Sequence, residues 1–271
     1  VMELKRWGLV ETMVGIDLNR ENLDRALERR VIDAAFTEIN AESIGGADLV
    51  LIATPVSTLP MICQAIKPFL WADALVSDVG STKQITVEAF RTYLPEHLPR
   101  CIAAHPIAGS DRHGALAAQF GLYQDKKLII TPHGDEHSDG LERLESLWQA
   151  VGAQTFRLSA AEHDAIFAAV SHMPHLLAFA FVHEIFDHPD GQAYLSFAAS
   201  GFRDFTRIAS SDPAVWTDMC LANKNSLQDL IGGIRRQLDT LEHLLATENK
   251  DALYTYFEEA KNTRDEWLKG Q

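Results

Sequence analysis

One histidine stands in a setting that suits proton transfer. The stretch "AAHPIAGSDRHG" (103–114) places His105 where an apolar run ends, and a proline and a glycine-containing turn follow it. An imidazole has a reference pKa of ~6.5, so it can take up or return a proton near neutral pH. Pro106 stiffens the backbone, and Gly109 lets the turn pass close to a bound molecule. The pattern predicts that His105 is a general base, with a structural histidine as the alternative.

Two polar turns offer further groups to a ligand. "TPVSTL" (54–59) and "DVGSTK" (78–83) each follow an apolar run and open a helical pattern. The Ser81 hydroxyl in the second turn is a candidate for contact with a substrate. The alternative is that Ser81 and Thr82 only cap the helix that follows them.

The elements that must position these groups alternate regularly up to about residue 160. Because the apolar runs are continuous, we expect parallel strands that are covered on both faces, in a doubly wound and mostly parallel sheet. Ligands of such sheets bind beyond the carboxyl ends of the strands. The predicted strands are 13–17, 48–54, 74–80, 101–107, 127–132 and 153–159, and the helical patterns between them cover 19–30, 56–70, 83–94 and 138–152.

A sheet of this kind commonly binds a dinucleotide through a first strand, a G-x-G-x-x-G loop and a helix N-terminus. That motif does not occur in this sequence. We interpret residues 1–8 as the end of the helix that follows such a loop, with Gly8 as its C-cap, and we expect a preceding segment. Asp17 then holds the ribose hydroxyls and favours NAD, while Arg20 keeps NADP open. The alternative for Asp17 is a turn carboxylate before the helix near Asn19.

On this interpretation the two polar turns line the dinucleotide. Thr54, Pro55, Val79, Gly80 and Ser81 are the predicted cofactor-binding residues beside Asp17. The Ser81 hydroxyl would bridge the nicotinamide and the substrate.

From residue 161 onward the pattern is helical throughout. We therefore predict a dinucleotide-binding domain over 1–160 and an all-helical domain over 161–271. The apolar stretch 160–186 predicts a buried helix interrupted at Pro174, and "SDP" (211–213) an N-cap with proline at the first helical position. The helix that follows "SDP" is about 30 residues long and carries an apolar stripe over 227–245, and a second stripe covers 253–267. These stripes predict core packing or, at the length of the first helix, a helical dimer interface.

Composition limits the classes of partner. The chain has 271 residues, of which 46% are hydrophobic and 23% charged, as in ordinary soluble globular proteins. Its formal net charge of −14 argues against a nucleic acid or an anionic membrane as partner. We find no apolar run near the ~20 residues of a membrane span, and three distant cysteines suggest reduced thiols in a cytoplasmic protein.

Five motifs together resemble the prephenate/arogenate dehydrogenase family of tyrosine biosynthesis. They are "DVGSTK", "HPIAGSDRHGA", "EHD…VSHMPH", "FRDFTRIASSDPAVW" and a trailing "NK", and they occur in order from about residue 13 to the end of the chain. The resemblance implies a Rossmann-type nicotinamide-binding domain joined to an all-helical domain that dimerises. It also implies NAD(P)⁺-dependent oxidative decarboxylation of prephenate, and possibly of arogenate.

The resemblance assigns roles to individual residues. His105 would take the proton of the ring 4-hydroxyl, and Ser81 would orient the same hydroxyl and the nicotinamide. Arg207 would hold a substrate carboxylate, although without the family it suggests a surface arginine paired with Asp204. His172 and His175 would line the substrate pocket, and the presence of His175 favours prephenate, or both prephenate and arogenate, as substrate.

One part of the histidine turn departs from the family pattern. This chain has "SDRHG" where many relatives carry "TEKSG" or "SEKSG", so Ser110 and Asp111 are substrate-binding candidates whose roles stay open. Arg112 and His113 add cationic character near an anionic substrate or are simply solvated.

Three other functions remain as alternatives. The pair His163–Asp164, with His172 and His175, could belong to a metal-dependent phosphohydrolase, although such a site needs more converging ligands and Pro174 disturbs the helix. A non-catalytic dinucleotide-sensing or dimerisation module would need neither His105 nor Arg207. A hydroxy-acid dehydrogenase of two domains would typically use a lysine of the helical domain, for which Lys224 is the only central candidate. No metal is expected for the dehydrogenase.

Overall fold

The computed structural model describes residues 2–109 and 114–270. Within these ranges the chain forms two compact units, the first ending at Asn223 and the second beginning at Lys224. The strands of the first unit are β1 (Val14–Ile16), β2 (Ala34–Phe36), β3 (Leu49–Ile52), β4 (Leu75–Asp78), β5 (Cys101–Pro106), β6 (Lys127–Thr131) and β7 (Gln154–Arg157). The helices among them are α1 (Met2–Arg6), α2 (Arg20–Glu28), α3 (Ala41–Ile44), α4 (Leu59–Ile66), α5 (Gln84–Tyr93) and α6 (Ser138–Ala150).

The strands form a five-stranded sheet in the order β3-β4-β5-β6-β7 and a two-stranded sheet of β1 and β2. All pairs are parallel except β5 and β6, which are antiparallel, with His105 opposite Ile129. The Rossmann-type alternation of strands and helices predicted from the sequence is therefore confirmed. The short strand β2 was not predicted, because a run of three residues shows no period.

The central strands carry the core on both faces, as their apolar runs predict. On β4, Leu75 packs with Leu144 and Trp148 of α6, whereas Val76 packs on the opposite face with Phe90 of α5. The two outer strands differ from the prediction of full cover, since Leu51 of β3 and Phe156 of β7 lie at edges of the sheet and are exposed. The carboxyl ends of β4 and β5 thus rest on a rigid, buried framework.

Helices make up the described chain after β7. They are α7 (Ala160–Phe167), α8 (Met173–Asp187), α9 (Gly191–Ser196), α10 (Ser200–Thr206), α11 (Pro213–Ala222), α12 (Lys224–Ala246) and α13 (Lys250–Lys269). As predicted, α11 begins at a proline, and the Asp212 side chain accepts hydrogen bonds from the Ala214 and Val215 amides. The predicted helix of about 30 residues is divided in two: α11 ends at Ala222 with Asn223 as its C-cap, and α12 begins at Lys224.

The stretch around Pro174 is continuous, which corrects the predicted interruption. Helices α7 and α8 are joined by a π-helical turn, Ala168–His172, in which the Met173 amide donates to the Ala168 carbonyl. A wider turn relieves the clash between a proline ring and the carbonyl four residues earlier.

The joined helix is also far less buried than predicted. It runs from Ala160 to Asp187, a length of 28 residues, and only 22% of its most apolar 18-residue stretch is buried. By length and composition it could cross a membrane, a test that core helices of soluble proteins also pass. The sequence analysis found no such run because polar residues interrupt it. Its exposed apolar side chains include Ile166, Val170, Phe181 and Phe186.

The second unit contains α12 and α13, and their apolar stripes face outward to a large extent. Leu238, Leu245, Phe257 and Trp267 are between 56% and 63% exposed. Core packing within the described chain, one of the two interpretations of these stripes, is therefore wrong for these four side chains.

A buried ion pair fixes the turn between β4 and α5. Asp78 accepts hydrogen bonds from the amides of Ala104 (3.0 Å) and Gly80 (2.9 Å), from the Thr86 hydroxyl (3.2 Å) and from the Lys83 ammonium group. Lys83 also donates to the Ala104 carbonyl at 2.7 Å. Both charges are almost completely buried, so removing either partner would leave an uncompensated charge, at a cost of about 3–5 kcal/mol.

Gly80 in this turn has no room for a side chain. An added Cβ would lie 2.8 Å from Val56 Cγ1 and 2.9 Å from Asp78 Oδ2. Gly80→Ala should lower the free energy of unfolding by about 1–3 kcal/mol, because overpacking displaces well-packed neighbours. Urea titration measures the change. Gly201→Ala is the matched control, since a methyl group added there would have nothing within 4 Å; equal effects of the two substitutions would contradict the prediction.

Candidate active site

His105 lies near the carboxyl end of β5, as the sequence predicts. Its Nδ1 is 2.9 Å from Nε2 of His163 in α7. The rings of His105 and Phe167 meet edge to face, with their centroids 5.1 Å apart. The imidazole is thus held on two sides by the first helix of the helical part of the chain.

The hydrogen bonds continue from His163 to a buried carboxylate. Nδ1 of His163 is 2.8 Å from Oδ1 of Asp164. Asp164 also accepts from the backbone amides of Lys83 (2.7 Å) and Gln84 (3.0 Å), at the beginning of α5. His105, His163 and Asp164 therefore form one chain of hydrogen bonds that ends on a helix N-terminus.

The alternative that Ser81 and Thr82 only cap α5 is wrong. The N-cap residue Lys83 makes no side-chain capping bond, and the Asp164 carboxylate takes that role. A negative charge at a helix N-terminus is favourable because it meets unpaired amides and the positive end of the helix dipole. Among the described residues, the Thr82 hydroxyl is buried without a hydrogen-bond partner, and no side-chain hydrogen bond of Ser81 is present.

Burial keeps the imidazoles of this cluster uncharged. It lowers the pKa of His105 to about 2, helped by the positive charge of Lys83 and by His163 and His172. Burial also lowers the pKa of His163, although the hydrogen bond to Asp164 opposes the change. For His172, burial outweighs the attraction of Asp164 and lowers the pKa to about 4. At pH 7 the unliganded cluster therefore holds neutral imidazoles, as a proton acceptor requires.

His172 lies in the same buried region, at the end of the π-helical turn. Its Nδ1 is 3.5 Å from Nδ2 of Asn223, which donates at 2.8 Å to the Asp164 carbonyl oxygen. The Trp216 ring lies edge-on to the His172 ring, with centroids 6.0 Å apart.

His175 lies one helical turn beyond His172 and is half-buried. Its ring stacks on the Trp216 indole at a centroid distance of 3.7 Å, and its Nδ1 donates to the Ser171 carbonyl at 2.9 Å. Trp216, which the sequence analysis did not single out, therefore contacts both histidines of "SHMPH".

Arg207 begins a short 3₁₀ turn, Arg207–Ser210, directly after α10. Its side chain is exposed, and the described residues show no ion pair between Arg207 and Asp204. The alternative of a surface ion pair with Asp204 is therefore wrong.

The predicted cofactor residues lie at strand ends, where a dinucleotide would bind. Asp17 follows β1 and accepts one hydrogen bond on each oxygen, from the Asn19 amide (2.8 Å) and the Asn22 side chain (2.7 Å). Asp17 is therefore a turn carboxylate. Each of its oxygens can still accept another hydrogen bond, for example from a ribose hydroxyl. Thr54 and Pro55 follow β3, and Val79, Gly80 and Ser81 follow β4. Within the described chain the Thr82 hydroxyl is buried without a hydrogen-bond partner, and Gly80 packs closely against Val56 and Asp78, so protein contacts fix the inner side of this turn.

The rest of the histidine turn carries the other predicted substrate contacts. Ser110, Asp111, Arg112 and His113 lie outside the described residues. The loop resumes at Gly114, and the Ala115 amide donates to the Asn22 side chain at 2.8 Å.

Comparison with known proteins decides between the alternatives. The sequence profile of the prephenate dehydrogenase nucleotide-binding domain matches residues 2–157, and that of the prephenate dehydrogenase dimerization domain matches residues 159–259. The chain belongs to the prephenate dehydrogenase family. Prephenate dehydrogenase from Bacillus subtilis is 35% identical over 93% of this chain and 68% of its own length. A cyclohexadienyl dehydrogenase from Zymomonas mobilis is 28% identical over 89% of this chain and 82% of its own length.

Solved structures of prephenate dehydrogenases share the fold. The enzyme from Aquifex aeolicus, solved with hydroxyphenyl propionate and NAD⁺, superimposes with a TM-score of 0.90 at 33% identity, over 97% of this chain and 92% of that one. Synechocystis arogenate dehydrogenase shares the fold with a TM-score of 0.82, at 24% identity over 98% and 94% of the two chains. This prephenate dehydrogenase family member is thus an NAD-dependent oxidoreductase, and the predicted class of enzyme and cofactor are confirmed.

The hydrogen bonds of the His163–Asp164 pair argue against the metal site that was the alternative for it. Both ring nitrogens of His163 are engaged, one with His105 and the other with Asp164. The sequence analysis did not connect these residues to the strand-end histidine, from which they are separated by 58 and 59 positions.

The buried histidines should make the stability of this family member depend on pH. Between pH 7 and pH 5 the unfolded chain protonates His172 with a pKa of ~6.5, whereas the folded protein resists protonation down to about 4. The unfolded state then binds more protons, so the free energy of unfolding falls as the pH falls, by about 1–2 kcal/mol for this residue.

Urea titrations at the two pH values measure this dependence. His172→Asn should reduce the difference between the two free energies by that amount, whereas His137→Asn, at an exposed position, should leave it unchanged. A His172→Asn protein with the wild-type pH dependence would show that His172 titrates normally in the folded state.

Proposed function

We propose that this chain is a prephenate dehydrogenase that converts prephenate to 4-hydroxyphenylpyruvate and CO₂ with reduction of NAD⁺. The observation that carries the proposal is the neutral, partly buried imidazole of His105 near the end of β5, in a chain of this family. Bound NAD⁺ supplies the hydride acceptor for the ring carbon that carries the hydroxyl group.

His105 handles one proton in this reaction. It takes the proton of the ring 4-hydroxyl as the C4 carbonyl forms. The ring carboxylate then leaves as CO₂, and the bonding electrons it releases make the ring aromatic and place negative charge on the former hydroxyl oxygen. His105 returns its proton to that oxygen, so the reaction as a whole neither takes up nor releases a proton at the enzyme. Ser81, at the end of β4, orients the same hydroxyl and the nicotinamide.

The helical part of the chain supplies the contacts for the substrate's other groups. Arg207 holds a carboxylate through its planar pair of donors. His172 and His175 line the pocket, and Trp216 fixes the plane of the His175 ring. The presence of His175 supports prephenate as the preferred substrate, with arogenate as a second substrate, and Ser110 and Asp111 complete the predicted set.

The cofactor preference follows from the end of β1. Asp17 accepts the ribose hydroxyls and disfavours a 2′-phosphate, so NAD is the proposed cofactor. Arg20, the group that would favour NADP, pairs with Asp24 at 2.9 Å on the surface of α2. Thr54, Pro55, Val79 and Gly80 border the dinucleotide.

We also propose the domain division and the assembly. Residues 1–160 bind the dinucleotide, and residues 161–271 bind substrate and form a homodimer. The match to a dimerization-domain profile supports the dimer, as do the exposed apolar side chains of α8, α12 and α13. The three free thiols support a cytoplasmic location.

The central test is turnover by the wild type and by His105→Asn. The wild type should reduce NAD⁺ in the presence of prephenate, followed by the absorbance of the reduced nicotinamide. His105→Asn should lower kcat by about 10²–10⁴ and leave KM nearly unchanged, because asparagine cannot take the proton but occupies similar space. His137→Asn is the control.

The same assay separates the candidate substrates and cofactors. Prephenate and arogenate are each combined with NAD⁺ and NADP⁺, and prephenate with NAD⁺ should give the highest kcat/KM. Undiminished turnover by His105→Asn would remove this residue from the mechanism, and absence of turnover with both substrates would refute the proposed reaction.

Arg207→Gln tests the proposed anion contact. Loss of a charge-assisted hydrogen bond costs about 2–3 kcal/mol, which corresponds to an increase of about 30–150-fold in KM for prephenate. The KM for NAD⁺ should change little. Arg143→Gln, which removes an exposed arginine of α6, is the control for the change in net charge. An unchanged KM for prephenate would mean that another group holds the carboxylate.

A further inference from the structure

We propose that His163 is a positioning residue that fixes the tautomer and ring orientation of His105 through the anchored carboxylate of Asp164. The inference deepens the proposed function, because it rests on His105 acting as the base. It follows from the direction in which each hydrogen bond in the cluster must run.

The chain of hydrogen bonds begins at Asp164, whose state is set by its surroundings. Its two oxygens accept from the Lys83 and Gln84 amides at 2.7 and 3.0 Å, and both amides can only donate. These amides begin α5, where the helix dipole favours negative charge. The hydrogen bonds from these amides and from His163 hold the pKa of Asp164 below its usual range in spite of burial. Asp164 is therefore an ionised acceptor.

An ionised acceptor dictates the tautomer of His163. Nδ1 of His163 lies 2.8 Å from Oδ1 of Asp164 and must carry the hydrogen of that bond. In a neutral imidazole the other nitrogen is then unprotonated, so Nε2 of His163 is an acceptor.

The acceptor nitrogen of His163 in turn dictates the tautomer of His105. Its Nδ1 lies 2.9 Å from Nε2 of His163 and must donate, so Nε2 of His105 carries the free lone pair. Without His163, a neutral His105 could hold its proton on either nitrogen, and one of these two forms has no lone pair on Nε2. The arrangement therefore keeps His105 in a single, proton-accepting form.

The groups around His105 also affect how stable its imidazolium is, once His105 has taken the substrate proton. Four charged or titratable groups surround the His105–His163 pair, namely Asp164, Asp78, Lys83 and His172. Lys83 opposes the new positive charge, and Asp164 favours it through the hydrogen bond to His163. Because the α5 N-terminus keeps Asp164 a weak base, the proton stays on the imidazoles and can return to the product oxygen.

The tautomer can be observed directly by NMR of the full chain labelled with ¹⁵N-histidine. The signal of His105 is assigned by its loss in His105→Asn. In the wild type at pH 7.5, Nδ1 of His105 should be protonated and Nε2 unprotonated. His163→Leu should populate the other tautomer, and kcat should fall by about 10–100-fold, as for other residues that orient a functional histidine, with KM for prephenate changed less than twofold.

His163→Gln provides the matched rescue. The glutamine side-chain oxygen can accept from Nδ1 of His105, so this variant should keep the wild-type tautomer and recover most of the lost kcat. A purely structural role of His163 would lower stability in both variants and leave the tautomer of His105 unchanged. Thermal unfolding of each variant is measured alongside.

Several outcomes would overturn the inference. The inference is overturned if His105 of the wild type is protonated at Nε2. This measurement needs no variant, so it remains decisive even if His163→Leu fails to fold. The inference is also overturned if the His163→Leu protein keeps the wild-type tautomer of His105, or if the His163→Gln protein behaves as His163→Leu does. A wild type that has the expected tautomer but does not turn over prephenate supports the positioning role and refutes the substrate assignment alone.

Discussion

The Asp164 carboxylate at the beginning of α5 is the contact on which the geometry of the site depends. It satisfies two backbone amides that would otherwise lack partners, and these amides follow directly after the turn that carries Ser81. Asp164 also holds His163, and its backbone carbonyl accepts from Asn223. A single residue thus ties the predicted cofactor turn, the imidazole pair and the end of α11 to one another.

Two buried charge systems lie next to each other in this region, and they act on His105 in opposite directions. The Asp78–Lys83 pair fixes the turn after β4, and the ammonium group of Lys83 works against any further positive charge. Asp164 acts through His163 and favours such a charge. Burial is the larger cause of the lowered pKa of His105, and Lys83 acts in the same direction. The imidazole is therefore neutral when it must accept a proton.

The features that the sequence predicted correctly are those with local causes. The position of His105 near the end of β5 is visible because an apolar run stops at a proline, and α11 begins where an aspartate precedes a proline. The short strand β2 was missed because three residues cannot show a period.

The features that were missed or wrong depend on partners far along the chain. The amides of α5 are capped by a carboxylate 80 and 81 positions away, where local reasoning expected Ser81 or Thr82. His163 and Asp164 were recognised as a reactive pair, but nothing in their neighbourhood indicated that they contact His105. The apolar stripes of α12 and α13 were correctly seen as helical, whereas their exposure depends on packing that periodicity does not specify.

The π-helical turn between α7 and α8 sets which face of α8 meets Trp216. A π turn holds one residue more than an α turn, and each residue of a helix turns the chain by about 100°. Deleting one position within Ala168–His172 would therefore rotate α8 by about that angle relative to α7 and carry His175 away from Trp216. A single-codon insertion or deletion is thus enough to re-aim the face of this helix that carries His175 while its length, hydropathy and connection to the sheet stay nearly the same.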